Sequence, residues 1–178
     1  MKTTLPKTTL YTKKIGLALI GSLLMIIASK VTVPVGLIKL SLAPLVPLLL
    51  GYFMGSSVGM LSVLFFLGEG LMGLPVFQSS PERGVGLVYI LGPTGGYLLS
   101  WPLAAYFTGF VKERGWFNKN LFVAFSLVLG LYHIQYVMGL SWLAILGFKN
   151  PLIIGYMPFV SNTIAHVILM TSLVKYKK

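Results

Sequence analysis

Long uncharged stretches alternate with short clusters of charged residues along this chain. Five stretches contain no Asp, Glu, Lys or Arg: residues 15–29, 40–68, 84–111, 120–148 and 150–174. A helix needs about 20 apolar residues to cross a hydrocarbon core that is about 30 Å thick. The pattern therefore predicts at least five helices that enter a membrane.

The second stretch is interrupted by GYFMGSSVG at residues 51–59. Clustered Gly and Ser favour a turn over a continuous helix, so we divide this stretch into two short helices. The resulting six helices are predicted at about residues 15–33, 42–54, 58–73, 93–111, 120–139 and 157–174. Because several are short for a perpendicular crossing, we expect some to tilt or to end inside the bundle.

Two connections between these helices are long and contain Pro and aromatic residues, at residues 74–92 and 140–157. Irregular backbone at membrane depth is tolerated where it is buried in protein or faces a water-filled cavity. The predicted fold is therefore an all-α integral membrane protein, a compact bundle of six transmembrane helices with long extracellular loops over a ligand pocket. The glycine-rich turn has no inverted counterpart later in the chain, which argues against a self-sufficient alternating-access carrier.

Composition agrees with a membrane protein of one domain, residues 1–178. The chain is 56% hydrophobic and 10% charged, whereas an average soluble domain has about 25% charged residues. The net charge of +11 does not indicate nucleic-acid binding, because the basic residues lie at segment ends rather than in a stripe. With the N-terminus inside, ten of the fourteen basic residues lie on the cytoplasmic side, as the positive-inside rule requires. This predicts a multi-pass membrane protein with both termini in the cytoplasm.

The sequence lacks a set of residues for catalysis. It has no Cys, and its carboxylates are Glu69, Glu82 and Glu113, none of which has a His or Glu three or four positions away. The motif GxxxxGK[ST] does not occur, so we expect no ATPase, and the few carboxylates and histidines provide no ligand set for a metal site or cofactor. The chain is predicted not to be an enzyme, and the energy for any uphill transport must come from a partner.

Three features allow both a structural and a functional interpretation. His133 is better explained by a hydrogen bond than by ligation, whereas for His166 both remain open. Ala18 and Ser22 lie on a small-residue face of the first helix that either packs inside the chain or docks a partner. The glycines of GPTGGYL, residues 92–98, either start a helix after Pro93 or leave N–H groups for a ligand carbonyl or carboxylate.

The segments GLPVFQSSPERGVG (73–86) and GPTGGYL (92–98) resemble the BioY family, the biotin-binding S components of energy-coupling factor (ECF) vitamin transporters. The resemblance extends to VTVPVGLIKLSLAPL (31–45) and MPFV (157–160). It implies a six-helix membrane fold with a vitamin pocket open to the outside. It also implies transport only together with a membrane-embedded T component and two cytoplasmic ATPases. By the same resemblance, Ala18 and Ser22 correspond to the surface that docks onto the T component.

The resemblance also suggests which residues bind biotin, a bicyclic urea with an aliphatic carboxylate tail. Such a ligand needs apolar walls and a few convergent polar groups. Hydrogen bonds to the ureido group are expected from Gln78, Tyr89, Thr94 and Tyr97. Arg83 is expected to pair with the carboxylate. The structural alternatives are a solvated Arg83–Glu82 loop pair and a Tyr97 that anchors the membrane interface.

The last helix departs from the family pattern. Family members typically read PFLPGDxxK, whereas this chain reads PFVSNTIAH at residues 158–166. Thr163 stands at the Asp position and His166 at the Lys position, with Asn162 beside them. A spacing of three keeps Thr163 and His166 on one helical face, where they retain hydrogen-bonding groups without fixed charges. Weaker affinity, another recognition geometry and another ligand all remain open.

The leading prediction is a substrate-binding subunit that captures biotin outside the cell and delivers it inward with its partners. One alternative is an S component of the same fold that takes another vitamin. An intramembrane enzyme acting on lipids is disfavoured, because the three carboxylates provide no catalytic set.

Overall fold

The computed structural model describes residues 7–35 and 38–176, and the side chains of residues 9–31 and 41–176. The predicted cytoplasmic ends, residues 1–6 and 177–178, lie outside the described residues. The elements in chain order are α1 (Lys7–Lys30), β1 (Thr32–Val35), β2 (Ile38–Ser41), α2 (Val46–Met54), α3 (Ser56–Leu71), α4 (Gly86–Ile90), α5 (Gly95–Glu113), α6 (Leu121–Ile145), α7 (Pro151–Gly155) and α8 (Val160–Tyr176). Single 3₁₀ turns precede α6 and α8, at Trp116–Asn118 and Met157–Phe159.

The prediction of an all-α membrane bundle is confirmed. The six predicted helices correspond in order to α1, α2, α3, α5, α6 and α8. Within the part of the chain that the structure describes, three segments are long and apolar enough to cross a membrane: Thr9–Lys30, Leu121–Ile145 and Pro151–Tyr176. At about 1.5 Å per residue, the 9 residues of α2 are too few to cross alone, as expected for helices that end inside the bundle.

The structure adds two short helices and a β-hairpin to the predicted helices. Helices α4 and α7 lie within the two long connections, and β1 pairs with β2 as an antiparallel hairpin in which Val33 lies opposite Leu40. The hairpin forms where β-branched residues cluster after α1, as β propensity favours. These elements place backbone across the end of the bundle where the long loops meet.

The chain reverses direction at Gly55, inside the predicted glycine-rich turn. Gly55 has φ +86°, which favours glycine because a side chain would clash there. The reversal brings Gly59 of α3 against Gly51 of α2. On the other side of Gly51 lies the carbonyl of Ala105 in α5, and Gly109 lies against Ser56. Glycines therefore allow α2, α3 and α5 to cross at backbone contact, as small residues do in membrane bundles.

Helix α1 packs on α3 through the face that carries Ala18 and Ser22. Both side chains are 0% exposed, and the Ser22 hydroxyl donates a hydrogen bond to the Glu69 carboxylate of α3. The exposed face of α1 is formed instead by large apolar residues, among them Ile20 and Ile27. This is the packing interpretation of the two that the sequence left open, and a role of Ala18 and Ser22 in docking a partner stays a prediction. A residue spacing reveals that two small side chains share a face, but it does not reveal which neighbour covers that face.

The carboxylate of Glu113 caps the start of α3. Its Oε1 accepts hydrogen bonds from the backbone N–H of Ser56 at 2.8 Å and from the Ser56 hydroxyl at 3.0 Å. The first N–H groups of a helix have no partner inside the helix and carry a partial positive charge. The last turn of α5 therefore stabilises the α2–α3 turn.

We expect Glu113→Ala to lower the stability of the purified protein by about 1 kcal/mol, as loss of a helix cap does. For a chain of this size that corresponds to a melting temperature about 2–4 °C lower. The measurement is thermal unfolding in detergent. Glu82→Ala, which removes an exposed loop carboxylate, is the matched control, and equal shifts for the two variants would contradict the capping role.

Candidate ligand-binding site

A cavity of about 330 Å³ lies among the hairpin end, the loop after α3, and helices α4, α5, α6 and α8. Its walls are mainly apolar and aromatic. The lining residues are Ser29, Ser41, Ala43, Pro44, Phe66, Phe77, Gln78, Arg83, Tyr89, Pro93, Thr94, Tyr97, Leu98, Trp101, Tyr132, Gln135, Tyr136, Leu143, Ile154, Gly155, Phe159, Asn162, Thr163 and His166. An apolar cavity with a few polar groups is the usual form of a small-molecule site.

All eight residues that the sequence analysis selected for substrate binding line this cavity. They are Gln78, Arg83, Tyr89, Thr94, Tyr97, Asn162, Thr163 and His166. They come from segments that are far apart in sequence, and the fold brings them together. Their contact with a ligand stays a prediction.

The loop after α3 is held against α4. Tyr89 donates a hydrogen bond to the Gln78 carbonyl at 2.6 Å, and its ring stacks on Phe77 with ring centroids 4.7 Å apart. Burial raises the pKa of Tyr89, while Thr94 and Arg83 oppose that shift, so the hydroxyl stays protonated and donates. Tyr89 therefore shapes the site through the loop as well as lining it.

The glycines of GPTGGYL serve helix packing. Trp142 of α6 packs against Gly96 and donates its indole N–H to the Gly92 carbonyl at 2.9 Å. The Gly95 N–H is already bonded to the Gly92 carbonyl at 3.0 Å. The contacts of Gly92, Gly95 and Gly96 therefore agree with a role in starting and packing the helix. The polar side chain that this motif contributes to the cavity wall is Thr94.

Tyr97 is tied to α7 rather than to the membrane interface. Its hydroxyl donates to the Gly155 carbonyl at 2.7 Å, and its ring packs against Gly139 of α6. The bond positions α7 over the cavity. The Tyr97 oxygen keeps its acceptor capacity for a ligand.

Thr163 and His166, which replace the Asp and Lys of the family pattern in the last helix, have different neighbours. The Thr163 hydroxyl shares a short hydrogen bond with the Tyr136 hydroxyl. His166 is 4% exposed, and its ring lies 5.9 Å from that of Tyr132 between centroids. Thr163 and His166 do face one cavity, as their spacing predicts. Thr163, however, is engaged by α6, which leaves His166 and Asn162 as the freer polar groups of α8.

His133 lies outside the cavity. It is exposed, and its Nδ1 lies 2.8 Å from the Leu129 carbonyl of its own helix. This is the hydrogen-bonding role that the sequence analysis preferred to ligation. Among the described residues, no group of His, Asp and Glu could hold a metal ion.

Lining residues that the sequence did not suggest include four with hydrogen-bonding side chains on α5 and α6: Trp101, Tyr132, Gln135 and Tyr136. A signal for three of them was available, since Tyr132, Gln135 and Tyr136 share one helical face inside an uncharged stretch. An amide and two phenols on one face of a membrane helix are expected to point into protein. Positions 101, 132, 135 and 136 lie outside the motifs on which the family resemblance rests.

Three buried polar atoms at the cavity have no hydrogen-bond partner among the described residues. They are the Trp101 indole N–H, the Tyr132 hydroxyl and the Asn162 Oδ1. Buried polar groups are nearly always paired in folded proteins. All three residues line one cavity, so these buried polar groups belong to its wall.

One charged side chain lines the described part of the cavity, and it is Arg83. Arg83 is exposed, so it lies where the cavity reaches the surface. No carboxylate is among the described lining residues. The site is therefore suited to a ligand with a neutral polar ring inside and an anionic group at the entrance.

Known proteins resemble this chain over most of its length. The sequence profile of the BioY family matches residues 1–178. A relative from Pyrococcus horikoshii, named a probable biotin transporter BioY, is 31% identical over 83% of this chain and 85% of its own length. A Thermotoga maritima protein, named a biotin transporter BioY, is 31% identical over 77% of this chain and 79% of its own length.

The fold matches a crystal structure described as the S component for biotin from an ECF-type ABC transporter. The TM-score is 0.74, and the match covers 97% of this chain and 94% of the other at 23% sequence identity. At that identity the match supports the shared fold. Since the family profile spans the whole chain and these relatives are similar over most of their length, this protein belongs to the BioY family.

Proposed function

We propose that this chain is the substrate-binding S subunit of an ECF-type transporter and that its ligand is biotin. The observation that carries the proposal is the set of unpaired atoms of Trp101, Tyr132 and Asn162 around an apolar cavity. An unpaired buried polar group costs about 1–3 kcal/mol. A ligand that pairs these atoms removes that cost.

The chemistry of biotin complements these atoms. Its ureido carbonyl accepts hydrogen bonds, which the Trp101 indole and the Tyr132 hydroxyl can donate. Its ureido N–H groups donate, and the Asn162 Oδ1 can accept. The aliphatic tail suits the apolar wall, and its carboxylate can pair with Arg83 at the entrance. The Pyrococcus and Thermotoga relatives, both named as biotin transporters, support the same ligand.

Transport requires a source of energy outside this chain. The sequence has no ATP-binding motif, and we propose that a T component and two cytoplasmic ATPases supply the energy, as in the ECF architecture. The proposed location is the plasma membrane with both termini in the cytoplasm, because the basic residues concentrate in the termini and the α5–α6 loop. Copurification of the chain with a T component and ATPases, followed by ATP-dependent biotin uptake in proteoliposomes, tests this part.

We expect the detergent-solubilised protein to bind biotin saturably in isothermal titration calorimetry. Arg83→Ala is expected to weaken binding about tenfold, because it removes a charge-assisted contact at the entrance. Lys149→Ala, which removes an exposed charge in the α6–α7 loop, is the control and should bind as the wild type does. Absence of heat together with absence of competition against radiolabelled biotin would contradict the proposal.

A second candidate is an S component for a different vitamin. It is favoured by the Thr163 and His166 departure, which replaces two charged groups by neutral hydrogen-bonding ones. Thermal-shift measurements with biotin, thiamin and riboflavin separate the two candidates. Stabilisation by biotin alone supports the first, and stabilisation by another vitamin alone supports the second.

A further inference from the structure

The loop between α3 and α4 carries part of the cavity wall but has little regular structure of its own. Phe77, Gln78 and Arg83 line the cavity from this loop. Between Met72 and Val85 the backbone forms only turns and bends. The position of these side chains therefore depends on what holds the loop from outside.

The end of α1 holds this loop through Lys30. The Lys30 ammonium donates to the Phe77 carbonyl at 2.8 Å, to the Ser80 carbonyl at 3.0 Å and to the Ser80 hydroxyl at 3.1 Å. A lysine ammonium has three N–H donors, so all of them are used on this loop. The Ser80 hydroxyl in turn donates to the Phe77 carbonyl at 2.6 Å, which closes a small network.

The residue before Lys30 strengthens the same connection. The Ser29 hydroxyl lies within hydrogen-bonding distance of the Val76 carbonyl and of the Ile26 carbonyl in its own helix, and Ser29 also lines the cavity. Two consecutive residues of α1 thus bind the carbonyls of three loop residues, Val76, Phe77 and Ser80. The connection spans about fifty positions of sequence and joins the membrane-embedded helix α1 to the cavity wall.

A simpler role for Lys30 is to complement the negative end of the α1 dipole, since it lies in the last turn. That role requires only a positive charge near the helix end. It does not explain why the Lys30 ammonium donates its hydrogen bonds to the loop after α3. Among the described residues Lys30 has no salt bridge to a carboxylate, so the loop carbonyls are its partners.

We infer that Lys30 is a positioning residue for the ligand site, which holds the loop from Val76 to Ser80 on the end of α1 so that Phe77 and Gln78 face the cavity. The effect on ligand affinity rests on the proposed biotin-binding function. The effect on the loop itself does not.

The first test is hydrogen–deuterium exchange of the ligand-free full-length protein with Lys30→Met. Amides of residues 76–84 are expected to exchange about tenfold faster, because charge-assisted bonds that restrain the loop are lost. Amides of α5 and α6 should exchange at the wild-type rate. Unchanged exchange in the loop, or faster exchange throughout the bundle, would overturn the inference.

The second test is biotin affinity by calorimetry for Lys30→Met, Lys30→Arg and the control Lys149→Met. Methionine is expected to weaken binding about tenfold, and arginine to stay within about threefold of wild type, since a guanidinium also donates to carbonyls. Wild-type affinity in Lys30→Met, or an arginine variant no better than methionine, would overturn the role in binding. If the wild type does not bind biotin, the proposed function fails, and the exchange experiment still decides whether Lys30 holds the loop.

Discussion

Replacing Tyr132 by Phe is expected to weaken biotin binding about tenfold or more, while the unliganded protein stays at least as stable as wild type. The Tyr132 hydroxyl is buried at the cavity, and the described part of the chain offers it no hydrogen-bond partner. Removing it breaks no bond in the free protein and relieves the cost of a buried unpaired group. In the complex, it removes a donor to the ligand. Calorimetry measures the affinity, and thermal unfolding without ligand measures the stability.

Two further tyrosines make this prediction specific. Tyr136→Phe breaks an existing bond to Thr163, so it should lower the stability of the free protein. Tyr106→Phe changes a half-exposed ring outside the cavity and should change neither quantity. Wild-type biotin affinity in Tyr132→Phe would show that the hydroxyl does not meet the ligand. A lower melting temperature for that variant without ligand would show that the hydroxyl has a structural partner.

Gly51→Ala is expected to destabilise the protein by about 3 kcal/mol, near the upper end of overpacking effects. The added methyl group would overlap the Ala105 carbonyl on one side, and Gly59 closes the other. Both neighbours are backbone, so no side chain can rotate away and the helices themselves must separate. The melting temperature in detergent should fall by about 6–12 °C.

The matched control is Gly130→Ala in α6. A methyl group at Gly130 would meet no atom within 4 Å, and alanine has the higher helix propensity by about 1 kcal/mol. The control should therefore melt at or slightly above the wild-type temperature. Equal effects at the two glycines would mean that α2 and α5 do not need their close approach.

The order of the helices could be predicted because each one is marked locally. Most uncharged stretches are bounded by charged residues, and the Gly–Ser cluster predicts a turn. The structure has this turn at Gly55. The boundaries were less predictable. Helix α1 begins at Lys7 rather than near residue 15, since basic side chains can extend toward the membrane surface from a continuing helix. Helix α6 continues past Gly139, where the absent side chain leaves room for the Tyr97 ring.

The eight selected cavity residues were found through a family resemblance rather than through their spacing. Gln78 and His166, for example, lie in segments whose relation in space no local pattern reveals. The residues that were missed, such as Tyr132 and Gln135, lie on α6, outside the segments that carry the resemblance. A neutral polar group buried in a membrane bundle also needs a partner, and that requirement makes it informative.

Hydrophobicity along the chain was sufficient for the membrane environment and for the number and order of the main helices, because each segment partitions into the bilayer according to its own composition. Tertiary structure alone decided that Ala18 and Ser22 face α3 and that Lys30 reaches the loop after α3. It also decided that the polar atoms of Trp101, Tyr132 and Asn162 remain unpaired at one cavity. A hydrogen bond requires two atoms within about 3 Å, and for residues distant in sequence that distance is set by the packing of the helices that carry them.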